Sequence, residues 1–325
     1  MICLGIESTA HTAGIGIVNE KGEVLANEKD TFTTEEGGMI PRELAEHHAE
    51  KFPTVLKNAF EKANLKWKDI DIISYSAGPG MGPALSVGAT LARLLALLHN
   101  KPLVAVNHCV AHIEIGKEKT GCKDPLVVYA SGGNSQIIGY ETGKYRVYGE
   151  TLDIGIGNLL DSFGRQMGLG FPAGPIIDKM YSEAKNYIEL PYSVKGMDLN
   201  FSGLLTSAKQ KIGKVDEKDL AYSLMHTGFA MLTEVTERAL AHTEKKEVLL
   251  VGGVAASKAL QKMINEMCKE RGVKMFVCPT PLAVDNGAMI SWTGILMFKA
   301  GRKTEIEKAT TNQKFRTDLE EINWV

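Results

Sequence analysis

Residues 2–18, ICLGIESTAHTAGIGIV, and residues 126–141, LVVYASGGNSQIIGYE, follow one plan. An apolar run meets a short polar loop, Glu7-Ser8-Thr9-Ala10-His11-Thr12 in the first case and Ser131-Gly132-Gly133-Asn134-Ser135 in the second. A second run of small and β-branched residues follows, so each stretch predicts a hairpin. Lys21-Gly22 and Thr142-Gly143 then turn the chain into third strands over 23–29 and 145–151. The plan recurs after about 120 residues, far beyond the period of a solenoid repeat, and points to a duplicated domain.

Working outward, residues 41–63 predict a helix with Pro41 in its first turn and a kink at Pro53. A strand over 70–76, a glycine loop over 78–83 and a helix over 84–98 come next. That helix is apolar nearly all round, which places it between layers. A short strand over 103–106 runs into His108. In the second half, helices are expected near 158–167, 175–186, 202–212 and 219–241. A strand over 248–251 passes through Gly252-Gly253 into a helix over 257–271, then a strand over 275–278 and a helix over 284–298. Alternating strands and helices predict an α/β protein with a mostly parallel core sheet. No low-complexity linker separates the halves, so they should pack with a cleft between them. The expected units are 1–124 together with a C-terminal segment from about 296 to 325, and 125–295.

A chain of 325 residues suits about two domains. Its 44% hydrophobic and 23% charged content exclude disorder as the main state. Lys and Arg total 37 against 39 acids, so no global basic field exists and a nucleic-acid partner would need a local patch or helper subunits. The first residues lack the pattern of a signal peptide, and no apolar run nears the ~18 residues of a membrane span. The best candidate, 86–98, is interrupted by Arg93. Five cysteines (Cys3, Cys109, Cys122, Cys268, Cys278) form no CxxC pair, which suits free thiols in a reducing compartment. The expectation is a cytoplasmic protein with no membrane partner.

Two groups of residues carry chemistry. In His108-Cys109-Val110-Ala111-His112, helical spacing puts both imidazoles on one face, able to meet one metal ion. The alternative is two structural histidines, as read for His47, His48 and His242. No Glu follows His108, so the HExxH pattern of a metalloprotease is missing. Oxygen ligands could come from Asp285, at a loop-to-helix junction, and from Tyr129, at a strand end; mixed N/O ligation suits iron or zinc better than magnesium. The second group is glycine loops at 131–135, 153–157, 170–175 and 252–253. Their backbone N–H groups suit phosphate, and together they point to a nucleotide site, although none is a P-loop. Asp161 and Asp178 could accept from ribose hydroxyls or an amine. Lys195, Lys209, Lys211 and Lys214, with Asn200-Phe201-Ser202 between them, read either as a solvated face or as an RNA-contacting edge.

The hairpin-led halves and the late Gly-Gly resemble the duplicated actin/hexokinase/Hsp70-like (ASKHA) fold, two domains around a central cleft. Within it, Gly5-Ile6-Glu7-Ser8-Thr9-Ala10-His11-Thr12, Ser76-Ala77-Gly78-Pro79-Gly80, Asn107-His108-Cys109-Val110-Ala111-His112, Tyr129-Ala130-Ser131-Gly132-Gly133-Asn134-Ser135, Asp198-Leu199-Asn200-Phe201-Ser202-Gly203-Leu204 and Gly252-Gly253-Val254-Ala255 occur in order. The set resembles the tRNA N6-threonylcarbamoyladenosine synthase family in its archaeal/eukaryotic branch, the catalytic subunit of the KEOPS complex, over almost the whole chain. The resemblance implies transfer of a threonylcarbamoyl group from threonylcarbamoyl-AMP to N6 of the adenosine 3′ of the anticodon, position 37, in tRNAs reading ANN codons. It implies His108, His112, Asp285 and Tyr129 as ligands of iron or zinc. It places Tyr129, Ala130, Ser131, Gly132, Gly133, Asp161, Gly174, Asp178 and Ser257 around an ATP/AMP-type nucleotide. Ser257 stands where many members carry Asn, and His11-Thr12 where bacterial members carry acids. The general base is open between His11 and the leaving phosphate. Implied partners are tRNA, a small atypical protein kinase and small accessory subunits. The rival readings are an ATP-dependent small-molecule kinase, a nucleotide-sensing scaffold dimerising through helix 84–98, and, least supported, a metalloprotease.

Overall fold

The computed structural model describes residues 1–34 and 39–324. The first half contains β1 (Ile2–Glu7), β2 (Thr12–Asn19), β3 (Val24–Thr31), α1 (Pro41–Ala63), β4 (Ile72–Gly78), α2 (Gly82–His99), β5 (Leu103–Asn107) and α3 (His108–Thr120). The second half contains β6 (Leu126–Ala130), β7 (Ser135–Glu141), β8 (Lys144–Glu150), α4 (Ile156–Gln166), α5 (Gly174–Glu183), the short ribbon β9 (Val194–Lys195) and β10 (Asp198–Leu199), α6 (Ser202–Lys211), α7 (Glu217–Thr243), β11 (Glu247–Val251), α8 (Lys258–Glu270) and β12 (Lys274–Val277). The one-turn α9 (Thr280–Ala283) and α10 (Gly287–Lys299) follow.

The two five-stranded sheets have one topology, β3-β2-β1-β4-β5 and β8-β7-β6-β11-β12. In each, the leading hairpin is antiparallel, β4 or β11 adds in parallel to its first strand, and β5 or β12 adds in parallel to that one. The sheets are therefore mixed, not mostly parallel, and the duplication expected from the two hairpins extends to strand order. Strand β1 shows why its run is apolar throughout: Leu4 and Ile6 pack into the core under α1 and α2, while Cys3 enters the core on the opposite face. Both faces of the sheet are covered.

Between the sheets lie α3 and α10, packed on each other. Helix α3 leans on the second sheet, and α10, although it follows that sheet in sequence, lies on β1, β2 and β4 of the first. Glycine permits this approach: a Cβ on Gly16 would sit 2.1 Å from the Ala288 nitrogen, and one on Gly5 2.3 Å from the Ser291 nitrogen. The chain thus rejoins the first sheet at Gly287, ahead of the return near 296 read from the sequence. Beyond α10, Thr304 N donates to Leu103 O, Asn312 N to Ala77 O and Ile322 N to Gly143 O, so the tail binds both halves.

Three further expectations change. Helix α2 is buried on one face only, by Leu85, Ala89, Ala92, Leu95 and Ala96, while Leu94, Leu97 and Leu98 are 57%, 64% and 69% exposed. It is also the one described helix long and apolar enough to cross a membrane, contrary to the sequence reading, because its single charge, Arg93, is outweighed by the small and aliphatic residues around it. The helix expected over 284–298 begins later, at Gly287, since Asn286 caps α10 by accepting from Met289 N at 3.0 Å.

A methyl group at Gly16 has no room without moving backbone. Gly16→Ala should therefore destabilise the fold by about 3 kcal/mol, read as a lower denaturant midpoint, whereas Gly143→Ala, where the added atom meets nothing within 4 Å but φ is +82°, should cost only about 1 kcal/mol.

Candidate active site

Strand β5 ends in Asn107, whose side chain accepts from Cys109 N and Val110 N at 3.0 and 3.2 Å and starts α3. His108 is thereby the first helical residue, with His112 one turn on and on the same face. Both are buried. From the break between α9 and α10, Asp285 presents Oδ1 to His112 Nε2 at 3.2 Å and to His108 Nε2 at 3.5 Å. Asn286 holds that break by donating to Leu282 O and Val284 O at 3.0 and 2.7 Å. Among the described residues these three form the one group of His, Cys, Asp or Glu with ligand atoms within 4.8 Å of one another. Tyr129, at the end of β6, lays its ring 5.2 Å from that of His112.

Electrostatics follow from burial and pairing. Burial alone would lower the His108 pKa, but the carboxylates of Glu7 and Asp285 more than reverse this and hold it at about 9. Burial works against ionised Asp285 too, yet His108 and His112 keep it well below the ordinary carboxylate range. Burial lowers His112 and pushes the Tyr129 hydroxyl far up. Two imidazoles and a carboxylate at these separations, with a phenol beside them, fit one ion of mixed N/O preference such as iron or zinc.

The ligand cluster opens on a cleft cavity of about 760 Å³, within the usual range for a small-molecule site. On one wall, the turn at Ser131 closes through Ser131 N donating to Asn134 O at 2.9 Å. The start of α4 then grips it: Gly157 N donates to Ser131 O and Asn158 N to Gly132 O, at 3.0 and 2.9 Å. A Cβ on Gly155 would sit 2.3 Å from Gly132 O, so only glycine admits this contact. The amides of Gly132 and Gly133 have no protein acceptor among the described residues. They suit an anion.

On the other wall, Asp161 accepts from Ala173 N at 2.8 Å just before α5 begins at Gly174. Burial raises the Asp161 pKa. Asp178, one turn into α5, accepts from Ser257 Oγ at 2.5 Å. His11 packs edge-on against Phe171, at 5.6 Å, on the rim.

Of the residues singled out from the sequence, His11, His108, Tyr129, Ser131, Gly132, Gly133, Asp161, Gly174, Asp178, Ser257 and Asp285 all line this cavity. Ala130 and His112 are buried behind its wall. Lys195, Lys209, Lys211 and Lys214 are not part of it. The Asn200-Phe201-Ser202 stretch between them is instead pinned by Asp153, which accepts from Phe201 N and Ser202 N at 2.9 Å each. Sequence reading missed Glu7, 2.9 Å from His108 Nδ1, and Met39, Asn158 and Gln313 on the wall. A lone acid ending an apolar strand was the available signal for Glu7; Gln313 had none, since the C-terminal tail brings it in.

Comparison with known proteins bears on this site. A family profile described as tRNA N6-adenosine threonylcarbamoyltransferase matches residues 23–292. Proteins of that name from Thermococcus sibiricus and Archaeoglobus fulgidus are 58% and 52% identical, each over 100% of both chains. A Methanothermobacter thermautotrophicus protein, described as a probable bifunctional tRNA threonylcarbamoyladenosine biosynthesis protein, is 51% identical over 100% of this chain and 61% of its own length. Among solved structures, HypF from T. kodakarensis aligns with a TM-score of 0.63 at 16% identity, over 92% of this chain and 47% of HypF. The activator of 2-hydroxyisocaproyl-CoA dehydratase from Clostridium difficile aligns at 0.56 and 11% identity, over 96% and 99%. Likeness at such low identity shows the fold alone, and it is the duplicated actin-like fold.

Metal binding at His108 must displace a proton that the site holds up to pH about 9. Zinc affinity of metal-free protein should therefore rise by about tenfold per pH unit between pH 7 and 9 and then level off, measured by competition with a chromophoric chelator. Folding raises this pKa above its ordinary 6.5. The stability it contributes to metal-free protein is complete below pH 6.5 and lost as pH climbs through about 9. An affinity independent of pH would exclude His108 as a ligand.

Proposed function

The chain belongs to the tRNA N6-adenosine threonylcarbamoyltransferase family, tRNA-modifying transferases, and from that premise we propose that its cleft transfers the threonylcarbamoyl group of threonylcarbamoyl-AMP to N6 of adenosine 37 in tRNAs reading ANN codons. The observation that carries this reading is one cavity shared by a three-residue metal-ligand cluster and a glycine turn with free amides. A kinase on the same fold needs no histidine pair there.

In the proposed reaction N6 attacks the carbonyl carbon of the carbamoyl–phosphate anhydride. A C–N bond forms, the C–O bond to phosphate breaks, and AMP leaves with its electron pair. The exocyclic amine is a poor nucleophile because its lone pair is delocalised into the ring, so most of the acceleration must come from positioning and from stabilising charge. The amides of Gly132 and Gly133 would hold the adenylate phosphate. Asp178, with Ser257 beside it, would accept from ribose hydroxyls, and Asp161 at the start of α5 would face the adenosine. His108, His112 and Asp285, with Tyr129 adjacent, would hold one iron or zinc ion. When bound, that ion supplies Lewis acidity toward the carbonyl oxygen and an anchor for the threonyl part. The proton released from N6 would pass to the leaving phosphate or to His11 on the rim.

With a net charge of −2, the chain would depend on partners for much of its grip on tRNA. We assign that role to the kinase and accessory subunits of a KEOPS-type assembly in the cytoplasm. The name of the Methanothermobacter relative, with two functions in a longer chain, supports a partnered activity.

Synthetic threonylcarbamoyl-AMP, an unmodified tRNA transcript, zinc- or iron-loaded protein and the accessory subunits should yield the modified nucleoside, detected by mass spectrometry after digestion. His112→Ala should lower the yield at least 100-fold. Phosphorylation of a small metabolite, with no modified nucleoside formed, would overturn the proposal in favour of a kinase.

A further inference from the structure

Glu7 is fully buried at the end of β1, and both of its carboxylate oxygens are engaged. Oε1 accepts from Thr9 N at 2.7 Å and from Thr9 Oγ1. Oε2 lies 2.9 Å from His108 Nδ1. A backbone N–H can only donate, so Oε1 accepts; with Oε2 as the acceptor facing the ring, the proton of a neutral His108 belongs on Nδ1. Its Nε2, 3.5 Å from Asp285, is then a lone pair aimed at the ligand cluster. His112 has no equivalent: its Nδ1 is buried without a hydrogen-bond partner among the described residues. From this asymmetry we infer that Glu7, clamped by Thr9, is a positioning residue that fixes the tautomer and ring plane of His108 and so makes it the pre-oriented ligand of the pair. The inference rests on the metal-site reading given above.

Outer carboxylates of this kind are commonly worth 10–100-fold in metal affinity. The sharpest test is Glu7→Gln, which keeps shape and hydrogen-bonding capacity. Thr9 N–H claims the carboxamide oxygen, so the amide NH₂ must face His108 Nδ1. That nitrogen becomes the acceptor and the proton moves to Nε2, directly in the path of the ion. Zinc affinity of Glu7→Gln, by chelator competition, should fall about 10–100-fold, at least as far as that of Glu7→Ala. A merely structural role for Glu7 predicts the opposite order, with Gln near wild type and Ala impaired. Thermal unfolding of the metal-free variants separates loss of fold from loss of ligand. In wild-type protein loaded with ¹¹³Cd, the metal should couple to Nε2 of His108 in ¹⁵N spectra, a readout that needs no variant. Zinc binding by Glu7→Gln as tight as wild type, or cadmium coupling through Nδ1, overturns the inference while leaving the metal site intact. A wild-type protein that binds no zinc, iron or cadmium overturns the metal site itself and the inference with it.

Discussion

Three ionisable side chains meet in the buried seam between the sheets, and low-dielectric surroundings would expel each of them unless the others were there. The seam therefore has to be built to tolerance. Helix α10 approaches the first sheet so closely because Gly5, Gly16 and Gly287 leave out the side chains that would separate them. Helix α3, packed beside it, then has its first turn facing the break that precedes α10, and Asp285 meets both imidazoles within 3.5 Å. The helix–sheet contact and the electrostatics of the site are one constraint seen at two distances.

The opposite wall of the cleft is organised by a different economy of hydrogen bonds. The first amides of a helix have no acceptors inside it, and a common use for them is to bind an anion directly. Here two of those at the start of α4 are satisfied by the carbonyls of Ser131 and Gly132. The consequence is a turn held by the helix, whose residues Gly132 and Gly133 line the cavity with amides that have no protein acceptor among the described residues. In the proposed function, a turn braced in this way by the helix N-terminus would hold the adenylate phosphate.

Most of this was legible in the sequence where the signal is local. Paired hairpins betray themselves through apolar runs broken by polar loops, and the sheets follow the same strand order as a result. The imidazoles of His108 and His112 could be placed on one face from their spacing alone. What failed was anything set by tertiary contact. The helix expected from 284 starts only at Gly287 because Asn286 caps it, which leaves Asp285 just outside the helix, at the junction where the sequence placed it. Helix α2 is apolar nearly all round, and composition alone cannot say that Leu94, Leu97 and Leu98 stay uncovered. That Asp153 holds the backbone at Phe201 and Ser202, between Lys195 and Lys209, could not be read from spacing either. Gln313 reaches the cavity only because the tail returns across Ala77.

Duplication also explains why the two hairpin loops differ. They occupy equivalent positions, between β1 and β2 and between β6 and β7, and both border the cleft. An anion is best held by backbone donors, which requires side chains to withdraw; the second loop is accordingly Ser131-Gly132-Gly133. A histidine that is to offer a lone pair needs an acceptor behind it, which only a side chain can supply; the first loop accordingly opens with Glu7 and Thr9. On the proposed reading, equivalent corners of the two sheets serve one cavity, one with backbone chemistry and the other with side-chain chemistry. The symmetry of the sheets is kept because both corners need the same strand geometry, and it is broken only in the loops, where the two chemistries ask for different residues.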